Sequence, residues 1–343
     1  MSSLAEEIRN KALSLGYDNC GIIQISEMHE YDEKLRERMT KVTLGSIAYR
    51  NQKKFTEPEK HHPWAKSVIV TLNDNTVYDI PHALKGLYAK DYLVDGRQDE
   101  NSDAWKRRVL FTEHLESINI RYETEPKFGI TALRWAAYKA GLGIIRKNNF
   151  FYTEKSSYVT IEAFLVDKEM EVIGTTKPKQ CLDNCGRCVA SCPSKSLCAP
   201  YTMSLLDCVS FMTSISVENG MGMPSVKQQE QIGGHLYGCD VCQDVCPYNK
   251  DKWLGGREFP GLDALSDKLF PEAIMSMSYS EMAELLLPKF FYISEKNLWK
   301  WKINALTVMG NSREARYKPF IELGLQDANR RVRKFAERVL NAM

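Results

Sequence analysis

Several common signatures of function are missing from this sequence of 343 residues. It contains neither a G-x-G-x-x-G nor a G-x-x-x-x-G-K-[ST] motif, so neither a Rossmann-type dinucleotide site nor a P-loop is predicted. No apolar run approaches the length of a membrane span. Lysine and arginine (46) nearly balance aspartate and glutamate (44). This balance gives no general argument for a nucleic-acid or membrane partner.

The first residues also lack the pattern of an export signal. The segment MSSLAEEIRNKAL predicts an amphipathic helix with acidic residues rather than a signal peptide. Ser3 and Glu6 form a capping-box pattern at its start, and Gly16 is placed to end it. We therefore expect a cytoplasmic protein whose cysteines are reduced and available to metals.

Closely spaced cysteine is what the chain does have. Nine of its ten cysteines lie between Cys181 and Cys246. The segment begins C-x3-C-x2-C-x3-C-P at Cys181 and ends C-x2-C-x3-C-P at Cys239. Short spacings that end in Cys-Pro are typical of two [4Fe–4S] clusters. In such pairs the cysteine before proline ligates the cluster of the other half.

This rule assigns eight cysteines to two sets. The first set, which we name tetrad one, is Cys181, Cys185, Cys188 and Cys246. The second set, tetrad two, is Cys192, Cys208, Cys239 and Cys242. Cys208 is included because it lies in the apolar stretch LLDCVSFM, which leaves Cys198 over. Structural zinc and disulfides are the alternatives, but zinc does not call for C-x3-C-P twice.

The segments before the cysteines alternate between strand and helix patterns. Strands are predicted at 19–25, 66–73, 118–124 and 156–166, and helices at 102–117 and 132–141. This alternation predicts an α/β domain over residues 1–175. His61 and His62 lie in a charged loop of this domain and are interpreted as solvated side chains rather than ligands.

Helical patterns follow the cysteines. We place a ferredoxin-like two-cluster domain at 176–255 and a helical, HEAT-like domain at 264–343. Residues 296–343 hold eleven lysines and arginines against four acids, with Trp299 and Trp301 among them. Either this charge binds a phosphate backbone, or it lies on an ordinary solvated face while the tryptophans pack inside.

Several segments, in order, resemble the epoxyqueuosine reductases. These are cobalamin-dependent enzymes with two [4Fe–4S] clusters that complete queuosine in tRNA, and they are related to reductive dehalogenases. The matching segments are KSVIVTLN, YAKDY (88–92), AGLGIIRKNN (140–149), SSYVTIEAFLV, DCVSFMT, IGGHLYGCDVCQDVCPYNK and INALTVMG. The resemblance covers nearly the whole chain and is most specific in the cysteine segment. It implies a cobalamin in the α/β domain, without a histidine on its lower face.

The resemblance also implies residues of the site. Those expected near the corrin from the α/β domain are Tyr88, Asn148, Tyr158 and Glu162. Thr213 and His235 are expected to approach it from the cluster side. Electrons from a donor such as ferredoxin or flavodoxin are expected to pass through the clusters to cobalt. Cobalt then assists removal of the epoxide oxygen while an acid supplies a proton.

The substrate side departs from the family pattern. The family has a Val-Asp-Thr stretch whose aspartate is thought to donate this proton. The ungapped equivalent here is Lys127, with Glu125 two residues earlier, so we predict one of these as the catalytic acid. Leu93 and Leu133 likewise replace a histidine and an acidic residue. Three functions are considered: epoxyqueuosine reduction in tRNA, reduction of another small molecule with the same cofactors, and electron transfer to a corrinoid protein.

Overall fold

The computed structural model describes residues 3–42 and 46–343. A four-stranded sheet in the order β1-β2-β6-β3 forms the centre of the N-terminal part, and each neighbouring pair is antiparallel. A separate antiparallel pair joins β4 to β5. The strands are β1 (Asn19–Gln24), β2 (Ser67–Asp74), β3 (Tyr122–Thr124), β4 (Ile144–Ile145), β5 (Phe151–Tyr152) and β6 (Val159–Val166). The predicted mixture of strands and helices is confirmed, in the antiparallel, α+β form.

The helices begin and end largely where local signals place them. Ser3 Oγ accepts a hydrogen bond from the Glu6 amide at 3.2 Å, and Gly16 follows the first helix with φ of +96°. Met1 and Ser2 of the predicted N-terminal helix lie outside the described residues. The helices are α1 (Leu4–Ser14), α2 (Tyr31–Lys41), α3 (Ser46–Asn51), α4 (Lys90–Leu93), α5 (Asp103–Ser117), α6 (Leu133–Lys139), α7 (Arg187–Ser191), α8 (Val209–Thr213), α9 (Val226–Ile232), α10 (Val241–Asp244), α11 (Leu262–Ser266), α12 (Pro271–Ser276), α13 (Tyr279–Leu286), α14 (Trp299–Ser312), α15 (Lys318–Leu323) and α16 (Arg330–Ala342).

Helices cover both faces of the sheet because its two central strands are apolar on both sides. Along β2, Val68 and Val70 point to a core shared with α2 and α6, while Ile69 points to a core shared with α1 and α5. All eight residues of β2 are buried. A strand of this kind reads as a continuous apolar run, which is why the sequence predicted it well. The predicted strand at 118–124 is shorter, since only β3 pairs with β6.

The C-terminal helices share their hydrophobic core with earlier parts of the chain. Tyr78, Tyr88 and Tyr237 belong to the same apolar cluster as the buried residues of α12, α14 and α16. Tyr237 stacks on Trp301 with ring centroids 4.8 Å apart. Trp299 and Trp301 are both buried. The tryptophans therefore pack inside, as one of the two readings of this segment supposed, while the HEAT-like comparison and the domain boundaries stay predictions.

Two of the eleven cations counted in this tail do not lie on its surface. Lys300 and Lys302 are buried in α14. Lys302 Nζ pairs with Asp327 Oδ2 at 2.8 Å. The surface charge of the tail is correspondingly smaller than the sequence count. Within the described ranges, none of the helices combines the length and apolar character needed to cross a bilayer.

Candidate metal centre and cofactor cavity

The four cysteines of tetrad one line a single small cavity. Cys181, Cys185 and Cys188 come from the turn before α7 and from α7 itself, and Cys246 follows α10. The Cys185 amide donates to the Leu182 carbonyl at 3.0 Å, which closes the turn. The chain therefore gathers the predicted ligands of the first cluster from two separate segments.

The four cysteines of tetrad two line a second and much larger cavity. Cys239 and Cys242 lie just before and within α10, Cys208 precedes α8, and Cys192 follows α7. Since α7 and α10 pack against each other, the cysteine after each helix reaches the tetrad of the other. This exchange is the ligand pattern that the spacing predicted.

The pKa values of the cysteine thiols reflect the same grouping. Burial, and then the neighbouring thiols Cys208 and Cys192, raise the pKa of Cys239 to about 12. Burial raises the pKa of Cys188 in tetrad one, with smaller contributions from Cys181 and Cys246. Thiolates crowded into a buried site repel one another unless a cation is bound among them. Each tetrad therefore has the donor chemistry that a metal cluster would satisfy.

The zinc and disulfide alternatives fit the geometry less well. Every cysteine of the chain is a free thiol. In residues 3–42 and 46–343, no group of three or more His, Cys, Asp or Glu side chains is arranged to hold a metal ion. The thiols of tetrad one line a small cavity, and those of tetrad two form part of the wall of the larger one, so each set borders a space that a cluster could occupy. Cys198 lies outside both cavities, and its thiol is directed at the Thr202 and Lys41 carbonyls.

The larger cavity has a volume of about 580 Å³ and lies between the α/β part and the cysteine segment. Its wall combines β6, the loop after β4, α6, the residues around α4 and the four thiols of tetrad two. This volume falls within the range of about 300–1,000 Å³ that is usual for cofactor and ligand sites. A bound molecule here would contact the second cluster directly.

A buried ion pair forms part of the cavity wall. Arg97 Nη2 donates to Asp95 Oδ2 at 2.7 Å and to the Tyr292 hydroxyl at 3.0 Å. Asp91 also lines the cavity, and its Oδ1 accepts from Asn75 Nδ2 at 2.9 Å. Burial, with the nearby Asp240 carboxylate, raises the pKa of Asp91 to about 7. The cavity thus contains one carboxylate neutralised by arginine and one carboxyl that keeps its proton up to near neutral pH.

Comparison with known proteins finds matches to the cysteine segment and then to most of the chain. The model of a 4Fe–4S double cluster binding domain matches residues 180–249. The epoxyqueuosine reductase of Leadbetterella byssophila is 28% identical over 268 residues, which cover 73% of this chain and 81% of that protein. The Escherichia coli epoxyqueuosine reductase is 26% identical over 328 residues, or 91% of this chain and 82% of that protein. This chain is related to the epoxyqueuosine reductases. The resemblance inferred from the motifs is confirmed.

Solved epoxyqueuosine reductases share the fold over nearly the whole chain. The Bacillus subtilis enzyme, in a structure whose catalytic loop is swung out of the active site, matches with a TM-score of 0.78 and 22% identity. A structure with an epoxyqueuosine-modified tRNA stem loop matches with a TM-score of 0.76 and 21% identity. Each alignment covers 99% of this chain and 90% of the solved one.

Of the two acids predicted from the family pattern, the structure places one at the cavity. Lys127 lines it, and its Nζ lies 5.6 Å from the centroid of the Phe291 ring. Glu125 is exposed and does not line it, and its Oε1 accepts from the Lys127 amide at 2.8 Å. Phe128, which is 52% exposed, lines the same part of the wall. Lys127 is therefore the better placed of the two predicted acids.

Asn148 lines both cavities. None of the other residues predicted to lie near the corrin is among the residues found to line either cavity. Its Nδ2 donates to the Tyr152 hydroxyl at 2.8 Å and to the Cys242 carbonyl at 3.0 Å. Its Oδ1 accepts from the Phe150 amide. Because all its polar groups are used in this way, Asn148 holds the wall between the tetrads.

Tyr158 and Glu162 of the strand β6 do not line the cavity. The Tyr158 hydroxyl donates to Asp244 Oδ1 at 2.5 Å. Glu162 forms a buried salt bridge with Arg108 at 2.8 Å and accepts from the Tyr17 hydroxyl. The resemblance implied contacts with the corrin for both, whereas the structure gives both of them protein partners. Val159, Thr160 and Ile161 of the same strand line the cavity instead.

Tyr88, Thr213 and His235 also lie outside the cavity lining. Tyr88 is buried in the C-terminal core and donates to the Leu269 carbonyl at 2.8 Å. Thr213 Oγ1 accepts from the Gly238 amide at 2.9 Å, and His235 Nε2 is 3.6 Å from Cys239 Sγ. Thr213 and His235 therefore hold the loop of Cys239, Tyr88 has a protein partner, and the corrin contacts expected of these three residues stay predictions.

Several cavity residues escaped the sequence reasoning. Asp91 and Tyr92 belong to the motif YAKDY in which Tyr88 was chosen, and both line the cavity. The missed signal is the start of the short helix α4 at Lys90, because Tyr88 precedes this helix whereas Asp91 and Tyr92 lie within it. Arg97 and Tyr292 meet across the cavity although they are far apart in the chain, so no local pattern could have paired them.

Proposed function

We propose that this protein is an oxidoreductase that converts epoxyqueuosine to queuosine in tRNA, with two [4Fe–4S] clusters and a cobalamin as cofactors. The observation that carries the proposal is the position of tetrad two in the wall of the large cavity. An electron held by that tetrad has no protein layer to cross before it reaches a molecule in the cavity. The relatives that match most of the chain bear the name of this activity.

The two tetrads form a path for electrons from the surface to the cavity. Tetrad one would hold the outer cluster and tetrad two the inner one. Asn148 lies between them. Its side-chain amide donates a hydrogen bond to the Cys242 carbonyl, and the residue lines both cavities. Buried Arg146 lies 3.7 Å over the Tyr248 ring beside tetrad one, where its charge offsets that of the thiolates.

The residues of the large cavity fit a cobalamin. The apolar side chains Leu133, Ile145 and Phe151 offer a surface for a broad ring, while the peripheral amides of a corrin need hydrogen-bond partners. Asn149 Oδ1 is buried without such a partner. When bound, cobalamin would supply a strongly reducing cobalt centre.

The reaction requires protons as well as electrons. Removing the epoxide oxygen to leave an alkene consumes two electrons and two protons and releases water. Lys127 is the proton donor that we propose, because it lines the cavity at the position where the family pattern places its acid. Asp91, which also lines the cavity, is the second group able to hold a proton there. Arg97, fixed by Asp95, would orient a polar group of the substrate.

The basic C-terminal helix is the part of the surface that we propose for the tRNA backbone. Arg330, Arg331 and Lys334 of α16 are exposed. Arg331 lies 4.8 Å over the ring of buried Trp299, so its aliphatic part is supported while its charge faces solvent. Arg333 is less available, since its Nη1 donates to the Asp327 and Ala328 carbonyls.

A second candidate is a reductase with the same cofactors and another small-molecule substrate. The observation that favours it is Lys127 itself, which brings a cation to the cavity where the family pattern has an acid. A cation there suits a substrate that is negatively charged or that builds up negative charge as its bond breaks. Transfer of electrons to a separate corrinoid protein is less favoured, because tetrad two faces an internal cavity rather than the surface.

A cellular experiment tests the proposed function. A bacterial strain that lacks its own epoxyqueuosine reductase accumulates the epoxide in its tRNA, and the nucleosides of that tRNA can be quantified by mass spectrometry. We expect this protein to restore queuosine, and Cys188→Ser to leave the epoxide. Persistence of the epoxide with a soluble, iron-loaded protein would favour the second candidate.

A further inference from the structure

The surface over tetrad one carries an arrangement that electron transfer within the protein does not require. We name it the tetrad-one face and define it by Lys147, Lys179, Leu182, Arg187 and Pro247. Four of these line the tetrad-one cavity beside its cysteines, namely Lys147, Leu182, Arg187 and Pro247. Lys179 lies two residues before Cys181, where the Gln180 carbonyl accepts from the Tyr248 hydroxyl of the same cavity at 2.7 Å.

Cations dominate this face, and none of them has a carboxylate partner. Lys147 Nζ donates only to carbonyls, those of Leu182, Asp183 and Cys185, at 2.9–3.2 Å. For exposed Lys179 and Arg187, no ion pair is formed with any residue of the described ranges. Asp183 is the one acid within this short segment. The side chains of the face around the thiolates therefore carry a net positive charge.

The middle of the face is apolar and lies over the thiols. Leu182 is 62% exposed, and Pro247 beside Cys246 is exposed as well. An exposed leucine thus lies beside cations. Protein interfaces usually combine an apolar centre with a polar rim. All four cysteines of tetrad one are partly exposed, as are three of tetrad two, while Cys192 is buried. The segment that carries Cys181 and Cys185 is itself exposed at residues 182–184, 186 and 187.

The position of the two tetrads determines which one meets a donor. Electron transfer slows steeply with distance, so a carrier protein must bring its redox group against the cluster that it reduces. Tetrad two lines the large cavity, whereas the turn that carries tetrad one lies at the surface, with residues 182–184, 186 and 187 exposed. A donor that docks on the tetrad-one face leaves the cavity free for substrate.

We propose that the tetrad-one face is the docking surface for an acidic protein that carries single electrons, in which carboxylates surround an exposed flavin or iron–sulfur group. The inference rests on the proposed function, since it supplies the electrons which that reaction consumes. Each encounter moves one electron from the carrier to the outer cluster and oxidises the carrier by one electron. Two encounters deliver the two electrons needed per epoxide, and the protons come from the cavity.

A tRNA backbone is the other anionic partner that cations could bind, and the geometry favours the protein. The modified base must reach the cavity, whose wall includes Lys127 and Tyr292. Neither residue belongs to the tetrad-one face. A tRNA seated over tetrad one would also cover the cluster through which electrons enter. Complementary charge between carrier and enzyme would instead raise the rate of productive encounters.

The test compares rates of cluster reduction in the complete protein loaded with iron, sulfide and cobalamin. Reduced flavodoxin, an acidic flavin carrier, is mixed with the oxidised protein in an anaerobic stopped-flow instrument at several salt concentrations. We expect K179E combined with R187E to lower the second-order rate constant at least about ten-fold at low salt and to flatten its salt dependence. The matched control, K106E combined with K227E, makes the same change of charge on exposed residues of α5 and α9. It should stay within about two-fold of the parent, since its charges lie away from the docking face.

Further arms separate the possible outcomes. Dithionite should reduce the clusters of all variants equally, which shows that the clusters are intact. Leu182→Ala should slow reduction by flavodoxin even at high salt, where charges are screened. An unchanged rate of cluster reduction by flavodoxin in the variant with K179E and R187E would overturn the proposal. Loss of tRNA stem-loop binding in that variant, with the rate of reduction by flavodoxin unchanged, would overturn it as well. Turnover of the epoxide with dithionite as reductant reports on the proposed function separately from the docking face.

Discussion

Cys192 and Cys246 exchange places between the two halves of the cysteine segment. Cys192 ends the run that begins at Cys181, yet it lines the large cavity with Cys239 and Cys242; Cys246 ends the second run and lies with tetrad one. The exchange ties α7 to α10 and brings the two tetrads close together. Loss of one thiol should therefore affect one cluster first and leave the α/β part folded.

Cys188→Ser tests this division. Cys188 lines the tetrad-one cavity, so its loss should remove the outer cluster and lower the iron content from about eight to about four atoms per chain. Colorimetric iron and sulfide analysis of anaerobically prepared protein measures this. Cys198→Ser is the matched control, because Cys198 lies outside both cavities and should keep the full iron content. Equal iron in Cys188→Ser and the parent would show that Cys188 is not a ligand.

Lys127→Met should lower turnover on epoxyqueuosine-modified tRNA by roughly 10²- to 10⁴-fold, the usual contribution of a positioned acid. Lys127→Arg is the informative comparison, since it keeps the positive charge but cannot release a proton near neutral pH. Glu125→Gln should remain near the parental rate, because Glu125 does not line the cavity. Cobalamin content, measured by absorbance, should be unchanged in all three. If Lys127→Arg retained parental turnover, Lys127 would act through its charge, and Asp91 would become the acid to test.

Replacing Arg330, Arg331 and Lys334 together by alanine should weaken tRNA binding and make it less sensitive to salt. Each phosphate contact that is lost should lower the slope of log affinity against log salt by about 0.7–0.9. Binding of a tRNA stem loop at several salt concentrations, followed by fluorescence anisotropy, measures the slope. Lys11→Ala on the remote helix α1 serves as control. Identical slopes in the triple variant and the parent would remove α16 from the interface.

Lys300→Met should stabilise the protein, most strongly below pH 7. Burial alone lowers the pKa of Lys300 to about 7. The unfolded chain therefore binds a proton between roughly pH 10.4 and 7 that the folded chain does not. This difference makes the parent lose stability as pH falls through that window, by an amount on the order of a few kcal/mol. Urea unfolding at pH 6 and pH 9 measures it. If the free energy of unfolding of the parent changed with pH in the same way as that of Lys300→Met, this would show that Lys300 keeps its proton in the folded state.

How much of this could be predicted from the sequence depends on how local the signal is. Seven members of the two tetrads were predicted from spacing and the exchange rule, and Cys208 from its apolar surroundings; their role as ligands stays a prediction. The strands β2 and β6 were equally visible, β2 as an apolar run and β6 as an apolar run that Thr160 and Glu162 interrupt. Helix ends marked by Ser3 and Gly16 were predicted for the same reason.

Side-chain direction was the part that the sequence did not determine. Glu162 looked like a cofactor contact, but its partner Arg108 comes from α5 on the other face of the sheet. Tyr88 points into a core built by helices far later in the chain. The charge of the C-terminal tail was overestimated because Lys300 and Lys302 are buried by partners that no local pattern reveals. Long-range packing decides each of these cases.

The central claim is tested most directly with purified components. The protein is prepared anaerobically with both clusters and cobalamin, given a reductant and an epoxyqueuosine-modified tRNA stem loop, and the nucleosides are analysed by mass spectrometry over time. We predict multiple turnovers to queuosine, with loss of one oxygen atom, that require cobalamin and are abolished in Cys188→Ser when flavodoxin is the donor. An unchanged epoxide in the presence of full iron and cobalt would contradict the assignment of this substrate.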